Sequence, residues 1–452
     1  MEKPRQIAFR VLQRHAESDE YVEDVLSAEL RNSPLAGSDR GLTHELVCGV
    51  VRLQRALDWM IDRRTDGRPQ QPIIRTILRL GLYQLLWLER VPPHAAVNET
   101  VELAKALNLG PIAGFINAVM RGVAGSLPET RLALKELEST NPDIAFSHPG
   151  WLCRRWEEHW GRENMLKLIQ WNNLPPRIYA RLNTLKITQA ALEEAWRDEK
   201  VVFERRSFPW ATRFVIYELI EHPPIAHLKS FLEGGFYIQD PSTLLAVETM
   251  DPQPGETVLD LCAAPGGKTS LIAQQMQNRG QIIAQDTHRA RLLRLRDNCS
   301  RLGVSIVRAS SSTGVTHPEL SLSFDRILVD APCSNTGVTR RRVDLRWRVK
   351  AEEIYRLQST QQELLADAAV QLKPGGLLVY STCSLEPEEN QAVSKWFVSQ
   401  HQDFRCVQEQ QLKPFEHAVD GAFVAAFRKR PHPGTHSAVD NISRRPDGSS
   451  VS

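Results

Sequence analysis

The sequence predicts a multidomain protein with an all-α N-terminal domain, a small α+β linker domain and a C-terminal α/β domain built on a doubly wound parallel sheet. The 452 residues exceed what one ordinary hydrophobic core accommodates. Apolar residues recur at helical spacing near the N-terminus, whereas from residue 255 onward short apolar strands alternate with helices. We expect the domains to span residues 1–140, 141–240 and 241–430, with a Pro-, Ser- and Arg-rich disordered tail at 431–452.

The first 140 residues are predicted to be entirely helical. The stretch 77–88 is apolar nearly all round, so it should form the central helix of a bundle and end before the prolines at 92 and 93. Apolar residues that share one face of another helix are Leu46, Val50, Leu53, Leu57 and Ile61. We assign most of these positions to the core.

The linker domain is predicted to begin with a tryptophan-rich helical connector over 141–174. After it, 178–182 and 214–219 are typical of strands and 189–199 of a helix. This mixture predicts a compact α+β unit before the last domain.

The C-terminal domain is predicted to contain five parallel strands. They fall at 258–261, 281–285, 304–308, 325–330 and 376–381. Ligands of such sheets bind at the carboxyl ends of the strands, so the residues that follow each strand are the candidate site.

The stretch Val258–Ser270, VLDLCAAPGGKTS, is predicted to be a strand, a glycine turn and a helix with Thr269 as a cap. A phosphate-binding P-loop is disfavoured because Cys262 stands where its first glycine belongs. A dinucleotide fingerprint is disfavoured because Gly266 and Gly267 are adjacent. A loop around a nucleoside with an amino-acid tail remains, and Asp286, at the end of the second strand, could accept from ribose hydroxyls.

Composition narrows the class of protein. With 42% apolar and 24% charged residues, no apolar run long enough to span a bilayer and no secretory leader, a soluble cytoplasmic protein is expected. The seven cysteines are scattered and form no C-x-x-C pair, so we expect neither a disulfide framework nor a metal site. Any important cysteine should therefore act as a thiol.

Positive charge is concentrated in the C-terminal half. Residues 1–140 hold 18 Lys and Arg against 18 Asp and Glu, whereas 331–350 hold five Arg and one Lys against one Asp. Cations interleaved with an aromatic residue are typical of RNA-binding segments. The predicted RNA contacts are Arg340, Arg341, Arg342, Arg346 and Trp347. The arginines of 289–296 could equally be a solvated helix face.

Three motifs carry a resemblance to a known family. CAAPGGKT, VDAPCS and STCS, the last followed by LEPEEN, resemble motifs of the RNA cytosine-C5 methyltransferases that use S-adenosyl-L-methionine (SAM). The helical N-terminal segment is similar to the NusB-like RNA-binding domain of the bacterial branch that methylates 16S ribosomal RNA. The resemblance covers about residues 5–430. It implies a Rossmann-like SAM domain, ribosomal RNA as partner, no membrane or metal, and a monomer.

The chemistry explains why two cysteines follow strands. Cytosine C5 is a poor nucleophile, so a thiolate must first add to C6, which turns the ring into an enamine. Spacing alone leaves open whether Cys333 or Cys383 attacks. The resemblance assigns attack to Cys383 and product release to Cys333.

The same resemblance places Asp330 at the base and beside the cofactor, where a carboxyl group can hydrogen-bond the cytosine edge. Lys268 is expected to orient substrate or stabilise charge. The predicted cofactor-binding residues are Cys262, Ala263, Ala264, Pro265, Gly266, Gly267, Lys268, Asp286 and Asp330.

One departure from the family pattern follows the third strand. The family usually has an acidic residue there, whereas this chain has Ser310, Ser311 and Ser312. The loss of one hydrogen bond to adenine would lower SAM affinity by about 1 kcal/mol. A cytidine in another RNA such as transfer RNA, or a non-catalytic assembly factor, remains as an alternative. An amino-group methylase would need an N/D-P-P-Y/F motif where this chain has Asp330-Ala-Pro-Cys.

Overall fold

The computed structural model describes residues 3–31, 33–311 and 323–431. The chain forms two compact units. The first comprises Met1–Pro176, Ser334–Glu353 and Lys413–Gly421, and the second comprises Arg177–Cys333, Ile354–Leu412 and Ala422–Ser452. The predicted tail lies outside the described residues from 432 onward, and the boundaries predicted at 140 and 240 stay predictions.

Helices dominate the first 176 residues and strands appear only afterwards. The helices are α1 (Pro4–Ala16), α2 (Val22–Arg31), α3 (Gly37–Arg52), α4 (Gln54–Arg64), α5 (Pro72–Trp87), α6 (Pro93–Ala106), α7 (Gly110–Ala124), α8 (Leu127–Thr140), α9 (Pro142–Ala145), α10 (Gly150–Trp171), α11 (Gln189–Asp198), α12 (Lys229–Leu232), α13 (Leu245–Met250), α14 (Gly267–Gln275), α15 (Arg289–Leu302), α16 (Leu345–Arg348), α17 (Ala351–Gln371), α18 (Gln391–Gln400) and α19 (Pro414–His417). The strands are β1 (Ile178–Leu182), β2 (Val202–Arg206), β3 (Ile216–Glu221), β4 (Phe236–Ile238), β5 (Thr257–Leu261), β6 (Gln281–Gln285), β7 (Val307–Ser310), β8 (Phe324–Asp330), β9 (Leu372–Thr382), β10 (Phe404–Leu412) and β11 (Ala422–Lys429). Within the described residues, no helix has both the length and the apolar character that crossing a membrane requires.

The first unit is built around α5, as predicted. Pro72 begins this helix, and its buried residues lie on different faces, including Ile77, Leu78 and Leu80. Helices α1, α3, α6 and α7 contribute the surrounding apolar side chains of one continuous core. The all-α prediction for this part of the chain is confirmed.

The second unit begins with a small antiparallel sheet in the order β2-β3-β1-β4. Strand β1 has the bounds that the sequence predicted, and α11 lays Trp196 on the sheet, where its side chain is fully buried. The sequence analysis missed β2 and β4. The side chains of β2 are mostly exposed and β4 has only three residues, so neither presents a strong apolar pattern.

The large sheet of the second unit has the order β10-β11-β9-β8-β5-β6-β7. The five predicted parallel strands are present, although the third begins at Val307 rather than at 304. Their predicted parallel pairing is confirmed, and two strands that the sequence analysis missed extend the sheet, since β11 runs antiparallel to β9 and β10 antiparallel to β11. The edge strand β10 is exposed over most of its length, so it lacks the apolar run of a central strand.

Polar contacts fix the small sheet to the large one within the second unit. The buried Arg181 of β1 donates to Ser270 Oγ of α14 at 3.1 Å. Asn183 donates to the carbonyls of Gly234 and Leu302 at 2.8 and 2.9 Å. Arg301 near the end of α15 donates to the Phe231 carbonyl at 2.7 Å. The end of α15 is thus held against the small sheet.

Candidate active site

The candidate site lies at the carboxyl ends of β5, β8 and β9. These strands are neighbours in the sheet, and Asp330 at the end of β8 pairs with Ser381 near the end of β9. The Ala331 N–H donates to the Ser381 carbonyl at 2.9 Å, which extends the pairing into the loops. Parallel pairing therefore brings together two loops that are 50 residues apart in sequence.

Each of these loops carries one of the two predicted catalytic cysteines. The sulfurs of Cys333 and Cys383 lie 3.4 Å apart. Cys333 is buried and Cys383 is half-buried. The fold thus brings the two thiols into contact. The sequence indicated this only because both cysteines follow predicted strands of one parallel sheet.

Lys268 and Asp330 form an ion pair beside the thiols. Lys268 Nζ donates to Asp330 Oδ2 at 2.8 Å. Burial alone would lower the pKa of Lys268, but the Asp330 carboxylate, its hydrogen bond and the nearby Cys383 together raise it. The ammonium group therefore stays charged within electrostatic range of Cys383.

The glycine loop turns sharply after β5. Gly266 has φ 98°, and a Cβ at this residue would lie 3.1 Å from Leu295 Cγ, so only glycine fits without strain. Helix α14 begins at Gly267, with Gly266 as its N-cap. The prediction that Thr269 caps this helix is wrong, because its hydroxyl donates to Asp260 Oδ2 at 2.6 Å instead.

Three carboxylates surround the loop. Asp260 is fully buried, and burial raises its pKa to about 7 despite the hydrogen bond from Thr269. Its Oδ1 has no hydrogen-bond partner among the described residues. Burial raises the pKa of the Cys262 thiol to about 12, with further contributions from Asp330, Asp286 and Asp260. Cys262 is therefore a protonated side chain of the loop.

Asp286 holds the loop from the neighbouring strand. Its Oδ2 accepts from the Ala264 N–H at 3.3 Å, and its Oδ1 accepts from the His288 N–H at 2.9 Å. From α15, Arg291 donates to the Ala264 carbonyl at 2.6 Å and Asn298 to the Pro265 carbonyl at 3.0 Å. The predicted cofactor loop 262–268 is thus fixed on both sides.

The third strand was predicted to end at 308, but β7 extends to Ser310. The Ser310 carbonyl accepts from the Asp286 N–H at 3.2 Å, and the exposed Ser311 follows. Ser312 lies outside the described residues. The strand end where the sequence analysis expected no carboxylate therefore carries Ser310 next to the Asp286 backbone.

The sequence analysis missed the residues that brace the two cysteine loops. Gln361 of α17 donates from Nε2 to the Pro332 carbonyl and to Glu389 Oε1, both at 3.0 Å. Ser384 Oγ donates to Glu389 Oε2 at 2.5 Å, and Asn390 Nδ2 donates to the Ser384 carbonyl at 2.9 Å. The LEPEEN run that contains Glu389 and Asn390 was a usable signal. Gln361, one glutamine in a helix, gave none.

The RNA prediction for Arg340 and Arg346 is wrong. Both side chains are buried in the first unit, 2% and 0% exposed. Arg340 pairs with Asp420 at 3.2 Å and stacks over Trp171. Arg346 donates to the Asn173 side chain at 2.7 Å and to the Asn172 carbonyl at 3.0 Å. Their cationic groups are used inside the protein and present no surface to a phosphate.

The other three residues of this segment have intramolecular partners as well. Arg341 pairs with Asp420, and Trp347 donates from Nε1 to the Val51 carbonyl at 2.8 Å. Arg342 is exposed and lies over the Tyr21 ring, 4.4 Å from its centroid. Trp347 is therefore a packing residue of the helical core, and the RNA role of Arg341 and Arg342 stays a prediction.

Among the residues that the structure describes, no cluster of three or more His, Cys, Asp or Glu side chains could hold a metal ion.

Three family models match this chain. Residues 247–438 match 16S rRNA methyltransferase RsmB/F, residues 2–125 match the NusB family, and residues 148–213 match a ferredoxin-like domain described as Methyltr_RsmF/B-like. The ferredoxin-like match at 148–213 covers part of the small sheet of the second unit. The methyltransferase match at 247–438 covers the whole of the large sheet.

Individual proteins are similar over most of the chain. A probable ribosomal RNA small subunit methyltransferase B from Synechocystis sp. is 35% identical over 450 residues, which cover 94% of this chain and 99% of the relative. A ribosomal RNA small subunit methyltransferase B from Proteus mirabilis is 36% identical over 403 residues, covering 88% and 92%. The crystal structure of a methyltransferase homolog protein from Pyrococcus horikoshii aligns with TM-score 0.57 at 34% identity, covering 64% of this chain and 97% of that one.

Proposed function

We propose, from the premise that this chain belongs to the RsmB/F family of 16S rRNA methyltransferases, that it methylates C5 of a cytidine in 16S ribosomal RNA through a covalent adduct to Cys383. As a member of that family it is a SAM-dependent enzyme that methylates ribosomal RNA. The observation that carries the C5 proposal is the 3.4 Å separation of the Cys333 and Cys383 sulfurs beside the Lys268–Asp330 pair. C5 methylation needs both an attacking thiol and help in releasing the product.

The residues around the glycine loop fit SAM. The cofactor carries a cationic sulfonium and an ammonium group, and Asp260, Asp286 and Asp330 all act electrostatically on Cys262 of the loop. The buried Oδ1 of Asp260 has no partner among the described residues, which suits a site that receives a positively charged ligand. Gly266 and Gly267 let such a ligand approach the backbone closely. When bound, SAM supplies an electrophilic methyl group.

Cys383 is proposed as the nucleophile. Its thiolate forms a bond to C6 of the cytosine, and the electron pair of the C5–C6 double bond moves so that C5 becomes nucleophilic. The Lys268 ammonium lies within electrostatic range of Cys383 and is opposite in charge to the sulfur that attacks. The base must be unpaired or flipped out of its stack to admit the sulfur.

Asp330 and Cys333 are proposed to serve the base and the release step. Asp330 Oδ2 is bound to Lys268, and the carboxylate is partly exposed, so it can accept from the cytosine edge. After C5 takes the methyl group, its proton passes to the Cys333 sulfur, the electron pair of that C–H bond re-forms the C5–C6 double bond, and the Cys383 sulfur leaves C6 as a thiolate. Cys333 lies close enough to Cys383 to act in this step.

The test is transfer of labelled methyl from SAM to unmodified 16S ribosomal RNA. We expect the wild-type chain to label a cytidine at C5, Cys383→Ser to lose activity, and Cys333→Ser to accumulate a covalent protein–RNA complex. The exposed Cys406 provides the control, and Cys406→Ser should label as the wild type does. Labelling of transfer RNA in preference to 16S RNA, or full activity in Cys383→Ser, would overturn the proposal.

A further inference from the structure

One chain of hydrogen bonds connects the loop of Cys333 to the loop of Cys383. The carbonyl of Pro332, the residue before Cys333, accepts from Gln361 Nε2 at 3.0 Å. The same nitrogen donates to Glu389 Oε1 at 3.0 Å, and Glu389 Oε2 accepts from the hydroxyl of Ser384, the residue after Cys383. Gln361 and Glu389 are fully buried. Two side chains therefore join the backbones on both sides of the sulfur pair.

Glu389 is itself held rigidly. The Tyr380 hydroxyl donates to the Glu389 carbonyl at 2.6 Å. Asn390 donates to the Ser384 carbonyl at 2.9 Å and accepts from Thr382 Oγ1 at 2.6 Å. The loop that carries Cys383 thus has hydrogen bonds at Thr382, at Ser384 and through Glu389, and Gln361 links it by side-chain hydrogen bonds to the loop that follows β8.

Stability alone does not explain Gln361. Its Oε1 is buried without a hydrogen-bond partner among the described residues. An unsatisfied buried acceptor lowers stability, and an apolar side chain of the same size would avoid that loss. Burying the Glu389 carboxylate carries a further desolvation penalty. A polar pair kept at such a cost points to a requirement for position.

We propose that Gln361 and Glu389 are positioning residues that keep the Cys333 and Cys383 sulfurs together, an inference that rests on the proposed two-thiol reaction. Gln361 and Glu389 form hydrogen bonds to groups next to the two cysteines in sequence. They act through the Pro332 carbonyl and the Ser384 hydroxyl, because reacting groups are held in place by neighbours whose own conformations are fixed by hydrogen bonds. Without Gln361, addition at Cys383 and release at Cys333 would no longer share one geometry.

The test compares Gln361→Leu with Gln358→Leu in the full chain. Gln358 lies one turn earlier on α17 and donates to the Glu388 carbonyl at 2.9 Å, so the control removes a similar hydrogen bond without touching the link to Pro332. The first measurement uses no RNA and no SAM. Dibromobimane, which fluoresces when it joins two thiols, is added, and the Cys333–Cys383 cross-link is identified by peptide mass. We expect Gln361→Leu to cross-link at least about 10-fold more slowly than wild type, because proximity of reacting groups sets such rates, and Gln358→Leu to match wild type.

The second measurement is methyl transfer. A displacement of about 1 Å lowers rates by about 100-fold, so Gln361→Leu should lose kcat by about that factor with unchanged KM for SAM. Glu389→Gln, which keeps the side-chain volume, should change both readouts in the same direction and replaces Gln361→Leu if that variant does not fold. Wild-type cross-linking and kcat in these variants would overturn the inference, as would a wild-type chain that gives no cross-link. Failure of the proposed function would appear separately, as normal cross-linking in a wild-type chain that does not label 16S RNA.

Discussion

Replacement of Arg346 separates a structural role from an RNA-binding role for the basic segment of residues 340–350. The Arg346 guanidinium is fully buried and donates to Asn173 Oδ1 at 2.7 Å and to the Asn172 and Ser147 carbonyls at 3.0 and 3.3 Å. Burial, followed by the charge of Arg52, lowers the pKa of Arg346 to about 9. Arg346→Met removes the charge and keeps most of the volume.

The expected magnitude follows from the acceptors that the substitution leaves behind. Arg346→Met removes both the desolvation cost of burying the guanidinium and the hydrogen bonds that offset this cost. These two contributions to the free energy of unfolding therefore largely cancel. Asn173 Oδ1 and the carbonyls of Asn172 and Ser147 lose this donor, and so does the more distant Arg52 carbonyl at 3.4 Å; the three shorter hydrogen bonds set the magnitude. At about 1 kcal/mol each, the lower bound for an unsatisfied buried group, Arg346→Met should lower the free energy of unfolding by about 3 kcal/mol.

Urea unfolding followed by tryptophan fluorescence measures the loss, and filter binding of 16S RNA at several salt concentrations measures RNA affinity. Arg342→Met is the matched control, because Arg342 belongs to the same basic run but is exposed. It should change the free energy of unfolding by no more than about 0.5 kcal/mol, as surface substitutions do. The reasoning is refuted if Arg346→Met unfolds like wild type and instead reduces the slope of RNA affinity against salt by about 1, the signature of one lost phosphate contact.

Three further predictions concern the core and the site. Burial raises the pKa of Asp260 from 3.8 to about 7, so the contribution of its carboxyl group to stability is greatest below pH 3.8 and is lost as pH rises through 7. At pH 8, Asp260→Asn should therefore have a free energy of unfolding about 4 kcal/mol higher than wild type, measured by urea unfolding. Equal slopes of stability against pH in the two proteins would contradict this. Gly49→Ala places a Cβ 2.0 Å from the Tyr83 ring and should destabilise the helical core by about 1–3 kcal/mol in thermal unfolding, whereas Gly114→Ala, with open space around it, should be neutral or stabilising. Lys268→Met removes the cation beside Asp330 and should lower kcat for methyl transfer by about 100-fold, the effect of losing one charged group at a reacting centre; a single-turnover rate equal to wild type would exclude this role.

Much of the fold could be predicted because the relevant signals are local. The strand Ile178–Leu182 and the central helix α5 follow from runs of apolar residues whose periodicity does not depend on distant partners. The convergence of Cys333 and Cys383 could also be anticipated, since both follow strands of one parallel sheet and such strands share a carboxyl edge.

The burial of Arg340 and Arg346 and the packing of Trp347 could not be predicted, because their hydrogen-bond partners are remote in the sequence. Arg340 meets Asp420 80 positions away, and Trp347 meets the Val51 carbonyl 296 positions away. A run of cations with an aromatic residue has the same composition on an RNA surface and in a buried polar network. Only the tertiary structure, which supplies buried carbonyl and carboxylate acceptors, distinguishes the two.

The course of the chain also limits what a truncation can prove. Ser334–Glu353 directly follows Cys333 in the sequence, yet it belongs to the first unit, where the Val22 N–H donates to Asp344 at 3.1 Å and Val343 packs in the helical core. A chain that lacks residues 1–140 would leave Asp344 and Trp347 without these partners. The residues that follow Cys333 would then lose contacts that hold them in place. Loss of methyl transfer in such a truncated chain therefore would not show that the helical part binds RNA, because the same loss is expected from a displaced thiol. Exposed substitutions on the helical part, made in the full chain and scored by RNA affinity, distinguish the two causes.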